Sequence, residues 1–258
     1  MCIDLNLLFK QVWGTEVTVP LTETESDQEL DSIQEHDEQE EIQDQPIEKT
    51  MSKKIVLLDC GHAKNTPGKR SPKKSDGTRF YEYQFNREIG QRIAKKLNAL
   101  NISYYFVLDL SSPEDKGLSA RANTANEYCA KYGKENCIFI SLHSNAAGDG
   151  ESWVDSARGW SIYTTKGNTT SDRYATIFFE EAQKLLPKYG MTLRKDISDG
   201  DPDYEENFTV IYKAWCPAVL IESLFFTSRT DLAFLESEVG KDVCADIVVN
   251  GIKRIVAE

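Results

Sequence analysis

The sequence has 258 residues, of which 40% are hydrophobic, so it is long enough and apolar enough to form a sizeable α/β domain. Its formal net charge of -12 comes from the first 50 residues, which hold 14 acidic side chains but only two basic ones, Lys10 and Lys49. The remaining 28 acidic and 28 basic residues balance. Without a basic surplus, we expect neither nucleic acid nor an anionic membrane as a partner.

The first 50 residues differ in character from the rest of the chain. Residues 22-50 are dense in acids and almost free of large apolar side chains, which predicts a disordered acidic linker. Residues 1-21 form a short segment to which the sequence assigns no role. The acidic leader is most simply a solvated linker, and an alternative is a tail that binds an unknown partner. We expect the folded domain to cover residues 51-258.

Two features predict where the chain is made. The N-terminal stretch MCIDLNLLFKQVW lacks the basic region, the long apolar region and the cleavage site of a secretory signal, and no later run is apolar over the length of a membrane span. The six cysteines have no compact spacing, and several lie in apolar runs, as buried free thiols do. We expect synthesis in the cytoplasm without membrane insertion.

Apolar strand-like runs alternate with helical periodicity from residue 54 onward, which is typical of an α/β fold. In chain order, the pattern predicts strands at 54-59, 103-109, 137-142, 159-164, 208-213 and 217-221, and helices at 82-100, 118-132, 171-187 and 239-256. We therefore expect a single domain with a central, mostly parallel or mixed sheet of about six strands flanked by helices.

Two of the three histidines, His62 and His143, come directly after predicted strands. Because ligand crevices form at the carboxyl ends of strands in open α/β sheets, both imidazoles are expected at one rim. Glu82 opens the long helix that follows the first strand, where it can point toward the same rim. Two His and one Glu, with a fourth position open for water, form a pattern of catalytic zinc sites. Each residue also has a simpler explanation, as a hydrogen-bonded histidine or as a glutamate that favours the helix dipole.

A buried carboxylate completes the predicted site. Glu222 ends the apolar run PAVLIE, where an unpaired carboxylate is costly unless it has a partner or a task. We interpret it as the general base that takes a proton from water and passes it to a leaving nitrogen. A thiol nucleophile at Cys60 is a weaker alternative, because its place in the strand points it to the sheet interior.

Five short motifs follow one another along the body of the chain. They are Asp59-Cys60-Gly61-His62-Ala63; Glu82 with Asn86; Leu118, Arg121, Ala125 and Asn126; Ser141, His143, Asn145 and Ala146; and PAVLIE, which ends at Glu222. In this order they resemble the zinc-dependent N-acetylmuramoyl-L-alanine amidases of the Amidase_3 type. The resemblance covers nearly everything from about residue 54 to residue 256.

The resemblance implies a single α/β domain holding one Zn²⁺ on His62, Glu82 and His143, with Glu222 as the catalytic glutamate. It implies a peptidoglycan substrate and hydrolysis, by zinc-activated water, of the amide between the lactyl group of N-acetylmuramic acid and L-alanine. Supporting roles, toward a ligand or the substrate, fall to Asp59, Ala63 and Asn145, with turn capping as the alternative for Asp59. Three positions depart from the family pattern: Cys60 replaces a Pro, and Ala63 and Leu224 each replace a Gly.

The missing export signal makes the chain look like a phage or prophage endolysin, which reaches the wall after release; delivery by another route is the alternative. Two other functions use the same residues differently. One is a zinc peptidase or carboxypeptidase that acts on stem peptides. The other is a wall-binding or virion protein without turnover.

Overall fold

The computed structural model describes residues 54–258. The predictions for residues 1-21 and 22-50, and the start of the folded domain at residue 51, lie outside the described residues.

Within residues 54–258, six strands form one sheet in the order β2-β1-β3-β6-β4-β5. All neighbouring pairs are parallel except β4 and β6, which are antiparallel, so the expected mixed sheet of about six strands is confirmed. The strands are β1 (Ile55–Cys60), β2 (Tyr104–Phe106), β3 (Cys137–Asn145), β4 (Ser161–Thr164), β5 (Tyr204–Glu205) and β6 (Ala218–Phe225).

Helices cover both faces of the sheet, and the four long predicted ones are confirmed. The helices are α1 (Glu82–Ala99), α2 (Leu118–Tyr132), α3 (Thr170–Leu185), α4 (Thr209–Tyr212), α5 (Arg229–Glu236) and α6 (Glu238–Val256). Side chains alternate along β1: Val56 and Leu58 join the core beneath α1, α3 and α6, whereas Leu57 joins the core beneath α2 and α4. Burial on both faces explains why the strands read as continuous apolar runs. No helix within residues 54–258 combines the length and the apolarity needed to cross a membrane.

The strand predicted at 208-213 is wrong, because this stretch forms the short helix α4. Its run of β-branched and aromatic residues favours a strand, but tertiary contacts decide otherwise. The Asn126 side chain of α2 donates to the Lys213 carbonyl (2.9 Å) and accepts from the Trp215 amide (2.8 Å), which satisfies the backbone at the end of α4. The strand that completes the set of six is instead the two-residue β5, which was not predicted. Helix α5 was not indicated by the periodicity either.

Candidate metal centre

Neighbouring strand ends bring the two histidines together. Strands β1 and β3 are adjacent and parallel, with Cys60 opposite Leu142, so His62, just after β1, and His143, near the end of β3, lie at the same end of the sheet. Their ring centroids lie 4.8 Å apart at an interplanar angle of 83°. The expectation that both imidazoles share one rim is thus met by the geometry.

Glu82 reaches both rings from the first turn of α1. Its Oε1 lies 3.1 Å from His143 Nδ1, and its Oε2 lies 3.4 Å from His62 Nε2. One possible ligand atom from each of the three residues lies within 4.8 Å of the others. The side chain of Glu82 is 1% exposed, and those of His62 and His143 are 12% and 8% exposed, so the cluster is largely buried.

Backbone groups fix the position of Glu82. Its amide donates to the Lys69 carbonyl (3.1 Å), and its Oε1 accepts from the Ser144 amide (3.1 Å). One turn later, the Asn86 side chain donates to the Gly61 carbonyl (3.0 Å). Helix α1 is therefore tied to the loop after β1 and to the strand that carries His143.

The loop after β1 has the backbone that this arrangement requires. A Cβ on Gly61 would lie 2.1 Å from His143 Cε1, so only glycine leaves room for that ring. His62 itself has a φ of 67°, an uncommon left-handed conformation for a residue other than glycine. Strained backbone of this kind clusters at functional sites, where surrounding contacts hold it in place.

The electrostatics of the cluster fit a cation. Burial lowers the pKa of His62 to about 3, against the opposing charge of Glu82. Burial also disfavours the charged form of Glu82, but the hydrogen bond and charge of His143 outweigh it and lower the pKa of Glu82. For His143, burial is likewise outweighed by Glu82, and its pKa is raised. Neutral His62 beside ionised Glu82 is the protonation state that metal ligation needs, whereas His143, whose pKa is raised, would release its proton when a metal binds.

Unpartnered atoms supply the test of fit. His62 Nε2, Glu82 Oε2 and His143 Nε2 are all buried, and none has a hydrogen-bond partner among the described residues. Buried polar atoms are normally satisfied, so three such atoms at one place indicate a missing ligand. Two imidazoles and one carboxylate form a donor set suited to zinc.

Glu222 lies beside this cluster. It is opposite His143 in the register of β3 and β6, and its Oε2 is buried without a partner within residues 54–258. Burial raises the pKa of Glu222 to about 7; His143 lowers it and Glu82 raises it. A carboxyl group with this pKa can both accept and donate a proton near neutral pH.

The family model for N-acetylmuramoyl-L-alanine amidases (Amidase_3) matches residues 56–254, which is most of the chain. The chain belongs to this family. Zinc dependence is a general property of Amidase_3 proteins. Here the match contains all of the residues that form the candidate metal centre.

Individual relatives point the same way. The chain is 26% identical over 209 residues to the endolysin of Bacillus phage SPP1, and 27% identical over 199 residues to the N-acetylmuramoyl-L-alanine amidase LytC of Bacillus subtilis. These matches cover 79% and 76% of this chain, but it spans only 66% and 34% of the two relatives. A Clostridium difficile amidase structure has the same fold, with a TM-score of 0.63 at 23% identity, covering 80% of this chain and 97% of that one.

Leu224 is one of the departures from the Amidase_3 pattern, and its backbone conformation explains why a glycine is expected at this position. Its φ is 61°, and it lies in a bulge of β6: between the pairs His143–Glu222 and Asn145–Phe225, β3 has the single residue Ser144 whereas β6 has Ser223 and Leu224. Bulges of this kind accommodate a left-handed residue, most easily glycine. Leu224 is fully buried, so this chain packs a side chain where its family commonly has none.

The three residues expected to have supporting roles lie near the rim but make other contacts. Asp59 accepts two hydrogen bonds from Arg121 Nη1 (3.0 and 2.9 Å) and one from Ser141 Oγ (2.7 Å), and all three residues are buried. The Ala63 amide donates to Thr66 Oγ1 (3.0 Å). Asn145 ends β3, and its side chain accepts from the next amide, that of Ala146 (2.9 Å). Their roles in the reaction remain predictions.

Cys60 does not fit the alternative of a thiol nucleophile. It is fully buried, and burial raises the pKa of its thiol. A Cβ on Gly90 of α1 would lie 2.5 Å from its Sγ, so the thiol is packed into the helix–sheet interface. All five cysteines within residues 54–258 are buried and unpaired in disulfides, as expected of free thiols.

Two groups that shape the site were not assigned from the sequence. The Ser144 amide holds Glu82, and a backbone donor leaves no signal in the sequence. Arg121 belongs to a recognised motif, but its partner Asp59 is 62 positions away. Only the pairing of β1 with β3 and the placement of α2 bring these groups together.

Proposed function

We propose that this chain is a zinc-dependent N-acetylmuramoyl-L-alanine amidase that hydrolyses the amide between the lactyl group of N-acetylmuramic acid and L-alanine in peptidoglycan. His62, Glu82 and His143 hold the zinc ion, and Glu222 is the general base. The observation that carries the proposal is the convergence of three unpartnered ligand atoms from separate elements, with Glu222 in register beside them.

A bound zinc ion supplies Lewis acidity, which lowers the pKa of water and polarises an amide carbonyl. The side chains do the rest. Glu82, buried and ionised between two imidazoles, fixes the orientation of both rings. Glu222 accepts a proton from the attacking water and returns it to the leaving nitrogen of L-alanine, a role that suits a carboxyl group whose pKa is raised to about 7.

Digestion of purified sacculi tests this function. Mass spectrometry of the products should show free lactyl groups on the glycan and stem peptides that begin with L-alanine. Activity should disappear with a zinc chelator and return with added zinc. Cleavage within the stem peptide would instead identify a peptidase, and no release from metal-loaded protein would identify a binding protein.

Within this activity, we propose that the chain acts as an endolysin, made in the cytoplasm and reaching the wall after release. Its likeness to the endolysin of phage SPP1 supports this. Expression in the cytoplasm of a sensitive host should leave cells intact until the membrane is permeabilised, when turbidity should fall. Lysis without permeabilisation would contradict this route.

A further inference from the structure

A second cluster of possible ligands lies outside the candidate metal centre. Asp172 belongs to the first turn of α3, whereas Asp201 and Asp203 come from the loop before β5. One carboxylate oxygen from each of the three lies within 4.8 Å of one from each of the others. We call these three residues the aspartate cluster.

The aspartate cluster lies near the start of β6, whereas Glu222 lies toward the other end of this strand. Strand β4 runs antiparallel to β6, with Ser161 opposite Glu222, so the far end of β4 lies near the start of β6. Thr164 at that end donates to Asp203 Oδ2 (2.5 Å). Next to Asp172, Ser171 accepts from the Ala218 amide (3.0 Å). The cluster therefore does not belong to the candidate metal centre.

The protein leaves the charge of this cluster uncompensated. Asp172 is 6% exposed and Asp203 is 1% exposed. Neither of them, nor Asp201, forms an ion pair with a lysine or arginine within residues 54–258. Buried carboxylates are normally paired or coordinate a metal, because leaving them bare is costly.

The hydrogen bonds show which oxygens the fold itself uses. Asp172 Oδ2 accepts from the Thr169 amide in the capping box of α3, and Asp203 Oδ2 accepts from Thr164. The Oδ1 atoms of Asp172, Asp201 and Asp203 are all buried, and none has a partner among the described residues. The helix cap and the contact with β4 therefore account for the Oδ2 atoms of Asp172 and Asp203. They leave the three Oδ1 atoms without a hydrogen-bond donor.

The raised pKa of Asp203 reflects the cost of holding several carboxylates together away from water. Burial, with Asp201 and Asp172 acting in the same direction, raises the pKa of Asp203 to about 8 against the opposing hydrogen bond from Thr164. Three carboxylates at this distance do not all ionise without a cation among them. A divalent ion would remove this conflict.

We propose that the aspartate cluster is a calcium site that ties the loop before β5 to the first turn of α3. Calcium accepts an all-oxygen ligand set in irregular geometry, with water or backbone carbonyls completing the shell. Zinc prefers nitrogen and sulfur in addition to oxygen, and magnesium demands a near-ideal octahedron and keeps most of its water. The role of the ion is structural, because it joins an edge strand to a helix away from Glu222.

Thermal unfolding of the full, zinc-loaded chain in a calcium titration tests the site. At calcium about 100-fold above its Kd, we expect Tm to rise by about 5 °C or more. Asp201→Asn and Asp203→Asn should each lose most of this shift. Asn can still accept the Thr164 hydrogen bond, so Asp203→Asn preserves the fold. Asp199→Asn is the matched control, since Asp199 is an exposed acid of the same loop, and it should keep the full shift.

Calorimetric titration with CaCl2 gives a second readout that does not depend on unfolding. We expect one ion per chain in the wild type and in Asp199→Asn, with at least a tenfold weaker Kd in Asp203→Asn. The proposal is overturned if calcium neither binds nor raises Tm. It is equally overturned if MgCl2 and CaCl2 give the same shift in the wild type and in all three variants, because that result is a general salt effect.

Discussion

The candidate metal centre and the aspartate cluster differ in how their buried charges are compensated. At the rim that carries Glu82, the chain supplies partners for two buried carboxylates: Glu82 lies between two imidazoles, and Asp59 is paired with Arg121. In the aspartate cluster, three carboxylates meet without an ion pair to any basic side chain of residues 54–258. Burial is common to both clusters, so it does not distinguish a reactive metal site from a structural one. The two clusters differ in their possible ligand atoms, which are nitrogen and oxygen in the first and oxygen alone in the second.

This difference has a functional meaning. Two imidazoles and one carboxylate leave a bound ion with a net positive charge, which suits an ion that must polarise a substrate. Three carboxylates more than neutralise a divalent ion, which suits an ion that only holds the chain together. We therefore expect substitutions at the rim to change the reaction and those in the aspartate cluster to change stability.

The largest expected effect is on the reaction itself. Glu222→Gln keeps the shape of the side chain but removes its ability to accept a proton. We expect kcat/KM on peptidoglycan to fall by about 10²- to 10⁴-fold, while zinc content stays at one ion per chain because Glu222 is outside the ligand set. Dye release from labelled peptidoglycan and metal analysis measure the two quantities.

Glu206→Gln is the matched control, because Glu206 is exposed just after β5, and it should retain full activity. If Glu222→Gln remained active, the rim would lose its assigned base and the contrast between the two clusters would fail.

The next largest effect is on stability and concerns the ion pair at the rim. Arg121 is 2% exposed and Asp59 is fully buried, so Arg121→Met would leave a buried charge without a partner. Breaking a buried pair in this way costs about 3–5 kcal/mol. Urea unfolding of zinc-loaded protein should show this loss in the free energy of unfolding.

Removing the charge of Asp59 as well tests whether the unpaired carboxylate causes the loss of stability in Arg121→Met. In the Arg121→Met background, Asp59→Asn should restore part of the lost stability, because an amide costs less to bury than an unpaired carboxylate. A loss below about 1 kcal/mol in Arg121→Met would show that the chain does not rely on this pair to compensate its charge.

Much of the rim could be predicted from the sequence because the signals are local. His62 and His143 follow apolar strand-like runs, and Glu82 stands where helical periodicity begins. The ends of parallel strands must meet at one edge, so three distant positions could be placed together before any coordinates. Glu222 could be selected because it ends a strongly apolar run, and resemblance to a family supported its role.

What the sequence could not indicate depends on contacts between distant segments. The aspartate cluster needs a helix turn and a loop about 30 residues apart in the chain, which the parallel pairing of β5 with β4 brings together. The helix α4 was missed because its β-branched residues favour a strand, while Asn126 from another helix satisfies its last turn. The bulge at Leu224 becomes visible only in the register of β3 and β6.

A smaller effect tests how the rim positions His143. Gly61→Ala would place a methyl group 2.1 Å from His143 Cε1 and 2.4 Å from Nε2, so the ring must move. We expect the zinc Kd to weaken by about 10- to 100-fold, as for other changes that displace a metal ligand. Competition with a fluorescent zinc chelator measures this Kd.

Ala63→Gly is the control for that loop. It restores the glycine that is usual in the family and removes only a buried methyl group, so the zinc Kd should change less than threefold. An unchanged Kd in Gly61→Ala would mean that the ring of His143 is free to shift, unlike a preorganised ligand.

The smallest effect separates backbone strain from packing beside Glu222. Leu224 has a φ of 61°, which costs a residue with a Cβ about 1–2 kcal/mol, yet its buried side chain contributes about 2–5 kcal/mol. Packing outweighs strain, so Leu224→Gly should lower the free energy of unfolding by about 2 kcal/mol. Leu224→Ala loses the packing but keeps the strain, and it should be less stable than Leu224→Gly by about 1 kcal/mol. This order reverses the usual preference for alanine over glycine inside a strand. Urea unfolding of the two variants decides the matter, because an alanine variant more stable than the glycine variant would mean that the bulge beside Glu222 holds no left-handed residue.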